Sequence, residues 1–171
     1  NQHVLVLVPE ISLIKQTYLR LEKQFPNKVG IWHHKLTKNQ KKDTLVKIKN
    51  NKLSIIVGAR SCLFMPFKNL GLIIVDEEQE QSYKQHNNTP YYNARDVAII
   101  RAKLSNSIVL LCSATPSVET YFNYKKNNYS YYYLKKRFKN YSMPVVKTID
   151  MTKEIYNNRY TIISNFLKTN I

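Results

Sequence analysis

Two runs of the chain, residues 4–8 and 72–75, carry branched apolar residues with no polar alternation. Such short continuous runs mark strands buried on both faces, the habit of a parallel sheet covered by helices. Residues 29–32, 53–57 and 108–111 predict three further strands of the same kind. Helical spacing fills the gaps. Ser12 is placed to cap a helix to about Phe25, with Leu13, Tyr18, Leu21 and Phe25 near one face, and Pro26-Asn27 ends it. Thr37 caps a basic helix to about Asn50, with Leu45 and Ile48 inward. Residues 94–104 predict a helix with Val97, Ile100 and Leu104 inward, and Ser117 begins another that runs to about Lys126. Residues 131–134 and 145–149 read as outer strands joined by a basic linker at 135–139, with a last helix from near Tyr160. Strands alternating with helices predict an α/β fold, a parallel β-sheet sandwiched by helices.

The run at 72–75 ends abruptly in Asp76-Glu77-Glu78-Gln79. In open α/β sheets the carboxyl ends of the strands are where ligands bind. Three acids at one strand tip repel unless a cation or a hydrogen-bond network offsets their charge. A magnesium-nucleotide supplies such a cation, with one acid holding Mg²⁺ and a neighbour acting on the attacking water. The competing reading is a solvated helix start, where Asp and Glu also suit the dipole.

Other predicted tips carry suitable chemistry. Gly58-Ala59-Arg60-Ser61 follows one strand; Gly58 permits close backbone approach, and Arg60 and Ser61 suit phosphate oxygens. Cys112-Ser113-Ala114-Thr115-Pro116 follows another, and its hydroxyls can bond acids on an adjacent tip. Residues 80–93 form a polar loop in which Tyr83 and Tyr92 lie near Lys84, a set suited to stacking on bases. On this reading Tyr83 and Tyr92 serve nucleic-acid sensing and not folding. His33-His34 reads as loop, since adjacent histidines point apart and rarely share a metal.

The length of 171 residues fits one domain. Both ends look cut, so the chain reads as an internal piece of a longer protein. No apolar stretch approaches the ~18 residues of a membrane span. Cys62 and Cys112 lie far apart without C-x-x-C spacing, which argues for a reducing compartment and against a zinc site in this stretch. The net charge of +16 points to a polyanionic partner, although the Lys, Asn, Ile and Tyr bias resembles AT-rich coding. The same charge argues against a small-molecule enzyme, as does the lack of an obvious histidine partner for Ser61 or Ser113.

Val8-Pro9-Glu10-Ile11-Ser12-Leu13, the unbroken stretch from Gly58 to Glu78, Ser82-Tyr83-Lys84-Gln85, Tyr92-Asn93-Ala94-Arg95-Asp96 and Ser113-Ala114-Thr115-Pro116-Ser117 occur in this order. The set resembles the PriA family of bacterial replication-restart helicases along nearly the whole chain. The resemblance implies the first of two RecA-like motor domains over residues 1–134, lacking its phosphate-loop segment. Residues 135–171 would be linker and the start of the path to the second motor. It implies an ATP-dependent, 3′-to-5′ superfamily 2 DNA helicase acting in primosome assembly at branched DNA.

By that resemblance Asp76 holds Mg²⁺ through water, Glu77 acts on the attacking water, and Glu78 and Gln79 complete the catalytic motif, Glu78 being expected to be structural or to bond a neighbouring loop. Ser113 and Thr115 join nucleotide to DNA movement. Pro9, Glu10, Arg60, Ser61, Tyr83, Lys84 and Tyr92 lie along DNA. The implied cofactors are ATP and Mg²⁺, with zinc only in a downstream part. The implied partners are single-stranded and branched DNA, replication-restart proteins and the replicative helicase loader, with no membrane. The implied location is the bacterial cytoplasm, at the nucleoid. Four positions depart from the family pattern: Gln79 for His, Ala59 for Thr, Tyr91 for Arg and Cys112 for Gly. No G-x-x-x-x-G-K-[ST] loop occurs in the chain, so the stretch alone is expected to be inactive. Two other readings stand beside this one: a DNA-binding remnant that does not hydrolyse ATP, and another superfamily 2 DNA translocase.

Overall fold

In the computed structural model residues 2–87, 89–135, 144–156 and 162–170 are described. The chain divides into two compact units, Asn1–Ser130 and Tyr131–Ile171. The first unit holds a five-stranded sheet built from β1 (His3–Leu7), β2 (Val29–Trp32), β3 (Ile55–Gly58), β4 (Leu70–Val75) and β7 (Ile108–Leu111). Their spatial order is β2-β3-β1-β4-β7, and every pairing is parallel. The register aligns the carboxyl ends in one row, Trp32, Gly58, Leu7, Val75 and Leu111. The chain leaves β1 toward β2 on one side and leaves β4 toward β7 on the other. The order therefore reverses between β1 and β4, which places a crevice at the tips of those two strands.

Leu5, Leu7, Ile56, Ile73 and Val75 are fully buried. Burying each such side chain contributes ~1.5–3 kcal/mol, so the central strands anchor the fold. The sheet is covered by α1 (Ile11–Gln24), α2 (Lys38–Lys49) and α3 (Ala94–Leu104), and α4 (Val118–Lys125) follows β7. Thr37 caps α2 with a full capping box: its hydroxyl accepts from the Gln40 N–H while the Gln40 side chain accepts from the Thr37 N–H. Ile48 is buried beneath this helix and Leu45 packs against the same core, as the spacing predicts. Lys38, Lys42, Lys47 and Lys49 of α2 are exposed and Lys41 is partly so.

Four expectations are corrected. The first helix starts two residues earlier than the sequence suggests, with Glu10 at the cap position and no side-chain cap; the Ser12 hydroxyl instead donates to the Glu10 carboxylate at 2.9 Å. On α3 the inward face is Ala94, Ala98 and Ala102, while Ile100 is 59% and Leu104 84% exposed. Small residues at this spacing let the helix lie close on β4 and β7, which the larger apolar side chains would prevent. Strand β7 is half open, with Ile108 70% and Leu110 45% exposed, because it forms the edge of the sheet among the described residues. The polar loop at 80–93 carries regular structure: a one-turn 3-10 helix at Gln81–Tyr83, then a small antiparallel pairing of β5 (Lys84–Gln85) with β6 (Tyr92–Asn93).

In the second unit residues 131–134 and 145–149 are not strands. Their tyrosines and valines are exposed, and among the described residues no strand pairs with them. Two short helices are present, α5 (Met151–Tyr156) and α6 (Asn165–Thr169), the latter capped by Ser164. The Asn165 N–H donates to the Glu154 carboxylate at 2.9 Å. Most of the linker expected at 135–139, and the helix start expected near Tyr160, lie outside the described residues.

Candidate nucleotide site at the carboxyl edge of the sheet

Backbone hydrogen bonds stitch the strand tips together. The Val8 N–H donates to the Gly58 carbonyl (3.0 Å), Asp76 N–H to Leu7 (3.0 Å), Cys112 N–H to Val75 (2.9 Å) and Glu78 N–H to Cys112 (3.0 Å). One edge of the sheet therefore carries Pro9-Glu10, Arg60-Ser61, the acids and Ser113-Ala114-Thr115. Gly58 is required for this stitching, since a Cβ there would lie 2.3 Å from the Trp32 carbonyl oxygen and 2.9 Å from the Cys62 Cβ.

The three acids separate as soon as the strand ends. Glu77 adopts a left-handed backbone, φ 47°, so the chain turns sharply between Asp76 and Glu78. Asp76 is half-buried; burial, with the Glu77 carboxylate beside it, holds its carboxyl above the usual carboxylate range. Among the described residues its side chain accepts a local bond, from the Glu77 N–H at 3.2 Å. Glu77 accepts from Gln79 Nε2 at 2.8 Å. Gln79 Oε1 in turn accepts from the Ser113 hydroxyl at 2.6 Å, and Ser113 Oγ accepts from the Thr115 N–H at 2.9 Å. A relay of side chains thus runs from Glu77 on the β4 tip to Thr115 beyond the β7 tip. Gln fills this place without a titratable proton, acting as donor to one side and acceptor to the other.

Glu78 takes a different direction. It is 2% exposed, and both its oxygens are bonded within the protein. Oε1 accepts from the Ser117 N–H at 2.7 Å. Oε2 accepts from the Ser117 hydroxyl (3.1 Å), the Thr120 hydroxyl (3.0 Å) and Arg95 Nη1 (3.3 Å). A carboxylate closed to solvent and fully bonded has no free oxygen for a nucleotide, so Glu78 bonds the neighbouring loop and stands apart from the catalytic grouping that the motif implies for it. The sequence signal that could have found this is Arg95, a cation on a helix otherwise presenting alanines to the sheet.

Tyr83 is also corrected. It is 1% exposed, and its hydroxyl donates to the Asp76 carbonyl at 2.6 Å. Its ring belongs to the core and cannot offer a face to a base. The 3-10 turn swings this one polar-loop residue inward. Lys84 and Tyr92, by contrast, line a cleft of about 410 Å³ together with Gln85, Tyr91, Arg95 and Glu119. Arg60 Nη1 donates to the Lys84 carbonyl at 2.7 Å, tying the β3 tip to this hairpin. Ser61 and Glu10 are exposed and Pro9 is partly so. His33 and His34 follow β2 in a turn, as expected.

Asp76 and Glu77 form an acid pair at a strand tip, and no salt bridge reaches either of them among the described residues. Carboxylate oxygens are the hard donors that Mg²⁺ takes, and the raised pKa of Asp76 marks a charge that a cation would offset. These residues fit a magnesium ion. Among the described residues no group of three or more His, Cys, Asp and Glu side chains forms a ready-made metal cage. No helix there is long and apolar enough to cross a membrane.

A parallel sheet with acids at the switch-point tip, joined by a relay to a Ser-Ala-Thr tip, is the architecture of a helicase motor domain. The sequence pattern of the DEAD/DEAH box helicases matches residues 1–123, and the chain belongs to that family. Within it, the chain is similar to the replication restart protein PriA of Rickettsia prowazekii (strain Madrid E), 47% identical over 154 residues. That alignment takes in 90% of this chain and 24% of the relative. PriA of Bacillus subtilis (strain 168) is 42% identical over 164 residues, covering 96% of this chain and 20% of the relative. PriA of Chlamydia trachomatis serovar D is 42% identical over 159 residues, covering 93% and 21%. The chain therefore spans only about a quarter or less of the length of these relatives.

Proposed function

We propose that this chain is the acid-bearing part of a motor domain in an ATP-driven, 3′-to-5′ DNA helicase of replication restart. The observation that carries the reading is the relay Glu77–Gln79–Ser113, which joins the acid tip to the neighbouring tip. Asp76 would hold Mg²⁺, through water, and the ion when bound would neutralise charge on the nucleotide phosphates. Glu77, oriented by Gln79, would orient the attacking water or accept its proton. Arg60, Ser61, Pro9 and Glu10 would lie along a DNA strand, and Lys84 and Tyr92 would contact it from the hairpin. The remaining partners would be branched DNA, restart proteins and the loader of the replicative helicase, in the bacterial cytoplasm at the nucleoid. Zinc would belong to another part of the full-length protein.

A phosphate loop supplies the backbone cradle and the lysine that a nucleotide needs, and none is encoded here. The 171-residue chain alone would therefore hydrolyse no ATP, and the half-open edge at β7 is where another segment would complete the sheet. Residues 1–134 would form the motor part and 135–171 the path onward. The test is ATP hydrolysis by the full-length protein with and without single-stranded and forked DNA. The reading requires magnesium-dependent turnover stimulated by DNA; a folded full-length protein with no such turnover overturns it and favours a binding remnant.

A further inference from the structure

We propose that Arg95 is a positioning residue that holds the Asp76–Glu77 turn in place by clamping Glu78. Arg95 is 8% exposed and sits in the first turn of α3, where Asn93 of the hairpin accepts a hydrogen bond from its N–H at 3.0 Å. Its guanidinium engages four groups: Glu78 Oε2 (3.3 Å), the Ser117 hydroxyl (2.7 Å), Asp96 Oδ1 (2.9 Å) and, less closely, Glu119 (3.8 Å). The planar fork of arginine can serve several acceptors at once, which a lysine ammonium on a flexible stem does less well.

The need for a clamp follows from the backbone. A non-glycine residue in the left-handed region is strained and persists only where its surroundings over-determine it. Glu77 is such a residue. Before it, the turn is pinned by the Asp76 N–H on the Leu7 carbonyl and by the Tyr83 hydroxyl on the Asp76 carbonyl. After it, the pins are the Glu78 N–H on the Cys112 carbonyl and the buried Glu78 carboxylate. A carboxylate buried this deeply is held by partners on every side, and a cation among them offsets the cost of closing it off from water. Among the described residues Arg95 is the cation that contacts it, while another part of Arg95 lines the cleft beside Lys84 and Tyr92. Its place at the end of the hairpin also joins Lys84 and Tyr92 to the acid turn.

This inference rests on the proposed hydrolysis for its kinetic arm only. In the full-length protein, Arg95→Ala should lower kcat for DNA-stimulated ATP hydrolysis by ~10–10²-fold, the scale of a small misplacement, and leave KM for ATP within about threefold. Arg95→Lys should restore part of the loss. The second arm is amide hydrogen exchange, which needs no activity. In Arg95→Ala the Glu78 and Ser117 N–H groups should exchange at least ~10-fold faster, while those of β1 keep the parent rate. If Arg95→Ala fails to fold, Ser117→Ala removes one Arg95 and one Glu78 contact and should give the same pattern. A parent that hydrolyses no ATP defeats the proposed function and leaves exchange to decide. Unchanged exchange at Glu78 and Ser117, or an unchanged kcat in an active parent, overturns the role of Arg95.

Discussion

At the scale of single residues, chemistry that looks alike in the sequence separates in space. Tyr83 and Tyr92 share a polar loop, yet Tyr83 is core and Tyr92 lines a cleft. Burial of a lone aromatic by one 3-10 turn leaves no periodic trace, so composition alone places it wrongly. Tyr83→Ala should therefore cost about 3–5 kcal/mol of stability, the range for deleting a large buried aromatic, and Tyr83→Phe about 1 kcal/mol for the lost hydrogen bond. Chemical denaturation checks both, and an unchanged midpoint for Tyr83→Ala would return the residue to the surface. Asp76 carries a second prediction. Burial and Glu77 raise its pKa, so the native state holds its proton more tightly than the unfolded chain does. The sign is then fixed: stability falls as pH rises from the ordinary value of 3.8 through the raised native value. Asp76→Asn should melt higher than the parent at neutral pH without divalent cations, and the difference should shrink as pH falls toward the ordinary value. A lower melting temperature at neutral pH contradicts this.

Among the elements, the five strands of the sheet are legible in the sequence, whereas the alternating residues at 131–134 and 145–149 imitate strands and the strands' environments are not legible. Uninterrupted apolar runs mark β1 and β4 because both faces are covered, and Thr37 marks α2 through its capping box. Helix α3 was placed correctly, but its face was not, since close packing selects Ala94, Ala98 and Ala102 over Ile100 and Leu104. The run in β7 has the same composition as a buried strand and is half exposed, because its fate depends on what lies beyond the edge. Of the acids, the separation of Asp76 from Glu77 followed from the end of the strand, whereas the burial of Glu78 depends on Ser117 and Arg95, distant in sequence. At the β3 tip, Gly58→Ala would drive a methyl into the Trp32 carbonyl and Cys62. We expect a loss of about 1–3 kcal/mol or more, since the clash is with backbone as well as side chain. A thermal midpoint within a degree of the parent would show that the tip has slack.

For the whole molecule, the charge of +16 and the strand-tip acids divide the labour. The cations on the exposed surface would attract a polyanion, and the acids would face a cation-loaded nucleotide. DNA binding by the full-length protein should weaken with salt, each neutralised phosphate adding about −0.7 to the slope of log K against log salt. A footprint of ~4 phosphates loses roughly 50-fold in affinity from ~50 to ~200 mM salt. A flat salt profile would assign the charge to composition alone.

The most direct test of the account compares two adjacent carboxylates in the full-length protein by ATP affinity and single-turnover hydrolysis. Glu77→Gln keeps the shape and loses the carboxylate that acts on water, so ATP binding should persist while hydrolysis falls by ~10²–10⁴-fold. Glu78→Gln weakens the clamp and should have a smaller effect on hydrolysis, with lower stability. Hydrolysis at the parent rate in Glu77→Gln, with loss in Glu78→Gln, would contradict the account.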